Sequence, residues 1–329
     1  RLAKQQCDMS KVEAKPIASA IQVLKNGELV REIRDCKNLI TNSGMEMLAS
    51  SSSFPSYLRV GAGSAEPRPT DTALASQLAS ASGAGTNAQG QNVEEGYAFM
   101  RAQWLFPEGA VVGNVSELGI ASNASSAPLF NRALIRDVNG QPTSITVLSD
   151  EQLRVVWEYR VYWPKTDSVV QVVNEADESE VYTCTARPIF AGSWFVGNAG
   201  SGFFYGRDIR MLGSTSNDSP GGYGTYIPGE YTLREPDGVY QYISGVRGPD
   251  LSRAEGGLGY VVHRASLALD EANNAEGIGG MILCYGGYSS TSNHMKQYFQ
   301  IKFDPPIPKT AKHKLEIDVK LSWSRADVP

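Results

Sequence analysis

The chain has 329 residues, 41% of them hydrophobic and 20% charged, with 33 Gly, 17 Pro, 4 Cys, 3 His and a net charge of −5. At about 100–200 residues per domain this reads as two domains, each able to bury a core, and the composition excludes a largely disordered chain or a coiled-coil rod. No run of about 18 apolar residues occurs, so no membrane insertion is expected, and with no basic tail or stripe nucleic acid is not an expected partner.

Cys7, Cys36, Cys184 and Cys284 are scattered without a CxxC pair, and only His263, His294 and His313 could join them. No metal or other cofactor is therefore expected, and the cysteines read as buried thiols of a protein made in a reducing cytoplasm. The chain starts at Arg1 with no initiator Met and no apolar signal segment, so the expectation is an N-terminus that is either processed or lies before Arg1.

Thr41 to Ala49 reads as a short helix behind an N-cap, and Asp71 to Leu78 as a second one capped by Thr70 or Asp71. Between them Tyr57 to Val60 reads as a strand, with Gly61 and Gly63 letting the chain turn sharply after it. Ser80 to Asn92 has no apolar face and reads as a long exposed loop, ordered only by a neighbouring subunit. Val115 to Ile120 and Leu129 to Ile135 read as neighbouring strands, with Glu117 and Arg132 forming an ion pair across them.

The clearest periodicity is in Val155 to Trp163, where Val155, Trp157, Tyr159, Val161 and Trp163 alternate with polar residues. It implies a strand buried on one face and wet on the other. Pro164 to Ser168 interrupts it, the acidic stretch Glu175 to Glu180 reads as a solvated hairpin tip or linker, and Val181 to Pro188 follows as a strand. A near-copy of the alternation closes the chain from Leu315 to Trp323. Ile120 and Leu153 are separated by the same 33 positions as Ile282 and Leu315, which makes a degenerate internal repeat a fair hypothesis. The expected architecture is mainly β, with two β-sandwich-like domains and one or two short helices. Residues 1–165 form an N-terminal β-rich assembly domain and residues 166–329 a C-terminal β-rich domain with Gly/aromatic loops, joined near residues 164–180.

Chemistry is sparsely signalled. There is no GxSxG elbow, no phosphate-binding loop, and Pro67 and Pro69 break the helix that the Gly61-Ala62-Gly63 stretch would need as a dinucleotide motif. No catalytic residues are assigned, and no enzymatic activity is expected. Glu94, Glu95, Glu117, Asp208, Glu230, Glu235, Asp237 and Glu255 are the carboxylates from which a glycoside-cleaving pair would have to come. In the Gly- and Tyr-rich segment from Gly192 to Gly259, Trp194, Tyr205, Tyr223, Tyr226 and Tyr240 are candidate partner or glycan contacts, since aromatic faces match the apolar faces of hexoses.

Five motifs carry a resemblance: Asn38-Leu39-Ile40-Thr41-Asn42-Ser43-Gly44; Tyr57 to Gly63 with Pro67-Arg68-Pro69-Thr70-Asp71-Thr72-Ala73-Leu74; Val115 to Ile120; Leu129 to Ile135; and Ile145 to Leu153. In this order they resemble a family of tailed-bacteriophage virion proteins over about residues 38–163. Ile307-Pro308-Lys309-Thr310 and Trp323-Ser324-Arg325 look like the end of such proteins, whereas residues 181–275 depart from the pattern. The resemblance implies a homo-oligomeric structural protein of the tail tip, baseplate or tail-fibre attachment region, located in the virion and made in the bacterial host cytoplasm. Its expected partners are copies of itself and other virion proteins, with host attachment through a surface glycan as a further expectation. A neck, collar or capsid-decorating protein is the alternative in the same class. A carbohydrate-binding adhesin or glycan depolymerase is the alternative from another.

Overall fold

A computed structural model describes residues 4–8, 12–50, 56–83, 85–92, 95, 97–162, 168–174, 177–188, 206–213, 250–257, 259–269, 274–285, 297–312 and 314–325. The fold is mainly β, with a single short helix among the described residues. Two compact units divide it, and the first described strand, β1 (Lys4–Asp8), belongs to the second of them.

The first unit covers Glu13–Tyr162. Its elements are β2 (Val12–Lys25), β3 (Glu28–Lys37), β4 (Leu39–Ile40), α1 (Asn42–Ser50), β5 (Tyr57–Gly61), β6 (Gln77–Ala81), β7 (Gly85–Asn92), β8 (Tyr97–Phe106), β9 (Gly113–Val115), β10 (Glu117–Ala121), β11 (Leu129–Leu134), β12 (Ile145–Val147) and β13 (Gln152–Tyr162). One antiparallel sheet runs β3-β2-β13-β8-β7, a second runs β4-β11-β10-β5-β6, and β9 and β12 form a ribbon. Asn26 and Gly27, both with positive φ (55° and 82°), close the tight β2–β3 hairpin, as an Asn-Gly turn does.

β13 shows why the sheets stack. Leu153, Val155, Trp157, Tyr159 and Val161 are fully buried, while Arg154, Arg160 and Tyr162 between them are half-exposed. The buried face meets the second sheet through Phe130 on β11, whose ring lies 6.4 Å from Trp157 and 5.8 Å from Tyr159. Trp104 on β8 adds a directed contact, its Nε1 donating to Ser56 O at 2.9 Å. Together these make a β-sandwich-like core whose aromatic members would each cost roughly 3–5 kcal/mol to truncate to alanine.

Two sequence expectations in this unit are corrected. Ser80 to Asn92 is not a loop: its start completes β6, and Gly85 to Asn92 pairs with β8 from Gln103 to Tyr97. An outer strand needs only backbone pairing on one side, so its polar side chains carry no alternation to read. Asp71 to Leu78 is not a helix. Asp71 instead turns the chain, its carboxylate accepting from Arg68 N at 2.8 Å, and Leu78 lies on β6, 44% exposed. The Thr41 helix is present, and Thr41 caps it: Gly44 N donates to Thr41 Oγ1 at 3.0 Å and Met45 N to Thr41 O at 3.0 Å.

The second unit holds β1 with β14 (Ser168–Asn174), β15 (Asp177–Pro188), β16 (Gly206–Gly213), β17 (Asp250–Gly257), β18 (Tyr260–Leu267), β19 (Asn274–Tyr285), β20 (Gln297–Lys309) and β21 (Leu315–Arg325). One sheet runs β14-β15-β20-β19-β16. In the other, β18 lies between β17 and β21, and β1 pairs in parallel with β21. Leu315, Ile317, Val319 and Trp323 are buried at alternate positions of β21. Of the acidic stretch, Asp177 to Glu180 opens β15, with Asp177 facing Asn174 on β14, and Glu175 and Ala176 lie outside the described residues. Ser168–Asn174 and Asp177–Pro188 thus pair as a hairpin, and β15 pairs on to β20.

A hairpin followed by a long strand occurs in both units, as β10–β11 then β13 and as β19–β20 then β21. The registers differ, however. Ile120 faces Asn131, while Ile282 faces Gln300, so the equal 33-residue spacing does not carry a residue-by-residue equivalence.

Candidate functional site

Four of the five motifs converge on one place, while the fifth, Ile145 to Leu153, runs from β12 in the ribbon to β13 in the first sheet. β4, β5, β10 and β11 are adjacent strands of the second sheet, and the segment from Ala62 to Ser76 returns from β5 to β6 across the same region. Its ends are tied where Gly61 faces Gln77, the geometry of a closed surface loop.

Beneath that loop lies a buried polar node. Glu117, fully buried, accepts five hydrogen bonds. Its Oε1 takes Gly63 N at 3.0 Å and Ser76 N at 2.7 Å. Its Oε2 takes Ala75 N at 3.1 Å and both Nε and Nη2 of Arg132, at 3.0 and 2.8 Å. Arg132, 3% exposed, reaches on to Asp71 Oδ2 at 2.6 Å and Ala65 O at 2.9 Å. The expected Glu117–Arg132 pair is thus present, diagonally across β10 and β11, with Asp71 as a third member. Burial opposes the Arg132 charge, but the hydrogen bonds and charges of Asp71 and Glu117 outweigh it and raise the guanidinium pKa. A carboxylate offers about four lone-pair sites. With five donors on it, Glu117 keeps none for a substrate proton, so its chemistry here is to hold a loop.

The two glycines are explained by this node and not by the turn expected of them. Neither has a positive φ. A Cβ on Gly63 would lie 2.3 Å from Glu117 Oε1 and 2.6 Å from Ala75 Cβ, and one on Gly61 would lie 2.4 Å from Ser76 O. Close approach of the Glu117 carboxylate at Gly63, and of the Ser76 carbonyl with the carboxylate behind it at Gly61, is what requires glycine.

A second cluster occupies the outer face of the first sheet. Glu158, 3% exposed, accepts from Arg101 Nε and Nη2 at 3.1 and 2.5 Å and from Arg160 Nε at 2.5 Å. The Arg160 guanidinium sits 4.6 Å over the Tyr97 ring, which lies 5.1 Å from Tyr162. Cation–π and ion-pair geometry satisfies these groups among themselves. Its signal was the alternation of β13, which places Glu158, Arg160 and Tyr162 on one face opposite Arg101, Phe99 and Tyr97.

Trp194, Tyr205, Tyr223, Tyr226 and Tyr240 lie outside the described residues, as do Glu94, Glu230, Glu235 and Asp237. Glu95 is exposed. Cys36 and Cys184 are buried thiols. Among the described residues no group of three or more His, Cys, Asp or Glu is placed to hold a metal ion, and no helix is long and apolar enough to cross a membrane. No protein-family model, curated protein or solved structure matches the chain.

Proposed function

We propose that the chain is a structural protein of a tailed-phage virion, in the tail tip, baseplate or fibre attachment region, working by packing against copies of itself and other virion proteins. One observation supports this reading above the others. Four of the five motifs that resemble the phage family meet in a single sheet and its β5–β6 loop, where Glu117 and Arg132 spend their polar groups on pinning the Ala62–Ser76 loop from below. Signature residues used up in holding a scaffold belong to a protein whose work is contact. From Ser64 to Glu66 and Arg68 to Thr70 the loop itself is exposed, so its rigid outer surface is open to a neighbour.

The test is light scattering on the purified full chain, with and without disrupted virion components, beside a glycan array. The expected result is a symmetric oligomer or a stable complex burying over about 1,000 Å² per interface. A monomer that binds no virion component would overturn the proposal, and glycan binding by that monomer would move the assignment to an adhesin.

A further inference from the structure

Arg59 on β5 and Arg132 on β11 both face Gly119 on β10, one from each side, and so share a face of the second sheet. Their surroundings differ in kind. Arg132 meets two carboxylates. Arg59, 0% exposed, meets none among the described residues. Its Nε and Nη2 donate to Asn123 O at 3.1 and 2.9 Å, and Nη2 also donates to Asn123 Oδ1 at 3.1 Å and Ala127 O at 2.9 Å. Its buried Nη1 has no partner among the described residues. Neutral oxygens thus surround a full positive charge, and one donor of the fork is left over, an arrangement that proteins ordinarily avoid.

Holding the β10–β11 loop does not account for it. Asn123 Oδ1 already accepts from Ser125 N, Ser126 N and Ala127 N at 3.1, 2.9 and 2.9 Å, so the loop closes on its own. Ser122, Ser125, Ser126 and Pro128 are exposed. The apolar anchor comes only at Leu129, packed with Leu74 and Ala121. Outside Arg59 the loop is tied to β6 by one exposed bond among the described residues, Gln77 Nε2 donating to Ala124 O at 2.8 Å, and a partner that lifted it would break that bond and leave the loop carbonyls to water.

We propose that Arg59 is a receiving site for a carboxylate, which displaces the Asn123–Ala127 segment and takes the guanidinium fork through Nη1 and Nη2. The exchange replaces neutral acceptors by a charge-assisted, two-bond pair, gives Nη1 its partner and neutralises the buried charge. The carboxylate comes from an acidic side chain or a free chain end of a partner protein.

The probe is sodium acetate, titrated into the isotopically labelled full chain against sodium chloride at equal ionic strength. The Ser125, Ser126 and Ala127 amides and the Arg59 Nε–H are followed by NMR. Saturable shifts and faster exchange at these groups with acetate alone are expected, weakened at least tenfold in Arg59→Met. An Arg59→Lys variant, which keeps the charge but not the fork, should bind with intermediate strength. Absence of a saturable acetate effect in the wild-type chain overturns the proposal, whether or not the variants fold, as does an undiminished effect in a folded Arg59→Met. Inorganic phosphate binding as tightly as acetate would overturn the choice of a carboxylate. An amidated glutamate peptide and an uncharged peptide with a free C-terminus separate the two sources.

Discussion

Replacing Glu117 with glutamine keeps its volume, removes its charge and turns one acceptor oxygen into a donor. Oε1 serves two donors and Oε2 three. Whichever oxygen is replaced, at least two buried N–H groups then face another donor, at roughly 1–3 kcal/mol each. Breaking a buried ion pair at one partner costs about 3–5 kcal/mol, of which Asp71 recovers part by staying on Arg132. A loss of about 4 kcal/mol is expected. For a unit of the size of Glu13–Tyr162, at ~2–4 °C per kcal/mol, the midpoint of its thermal transition falls by about 10 °C. Urea denaturation followed by the fluorescence of the buried Trp104 and Trp157 measures the loss, and amide exchange locates it in residues 62–76. Glu95→Gln, at an exposed position, is the matched control. A loss below about 1 kcal/mol, or faster exchange spread evenly over the unit, would refute the role given to Glu117.

Three further outcomes follow from the same geometry. Gly63→Ala forces a Cβ to 2.3 Å from Glu117 Oε1 and should cost several kcal/mol, whereas Gly83→Ala, with φ +82° and nothing within 4 Å, should cost only about 1 kcal/mol of backbone strain; paired denaturation curves compare them. Thr41→Ala removes the cap of α1 and the hydroxyl bond to Leu129 O, for a loss of about 1–2 kcal/mol in the same assay. The Leu148 N–H, helped by Arg31 and opposed by burial, holds the Glu151 carboxyl below its ordinary 4.5. Its stabilising effect is therefore present above that value and lost as pH falls through the lower folded one, so Glu151→Gln should flatten the acid side of the stability–pH profile below about pH 4.5. An unchanged acid limb would contradict that assignment.

What could be read in advance divides along physical lines. β13 was legible because one of its faces is apolar and fully buried while the other carries half-exposed polar groups and the ion-paired Glu158, which writes a period of two into the sequence. The Glu117–Arg132 pair was legible because opposite charges inside two apolar strands need each other. β7 was not, since Gly85 to Asn92 owes its strand to the backbone of β8 and carries no apolar face of its own. Asp71 has the residue type of a helix cap, but Arg132, 61 positions away, recruits its carboxylate, and no local pattern reports so distant a partner. Gly61 and Gly63 looked like turn residues for the same reason: the crowding that requires them comes from outside their own strand, from Glu117 at Gly63 and from Ser76 O with Glu117 at Gly61. Arg59 gave no signal at all, because an arginine one residue before Val60 reads as the wet position of a strand until a loop is found to cover it.

The central claim is that this chain works by contact inside a particle, and cross-linking mass spectrometry of intact, purified tailed-phage virions carrying it tests that most directly. The account predicts the chain at fixed stoichiometry, with cross-links to further copies of itself or to tail proteins in the particle. Its absence from washed particles, together with recovery as a free monomer from the lysate, would contradict the account.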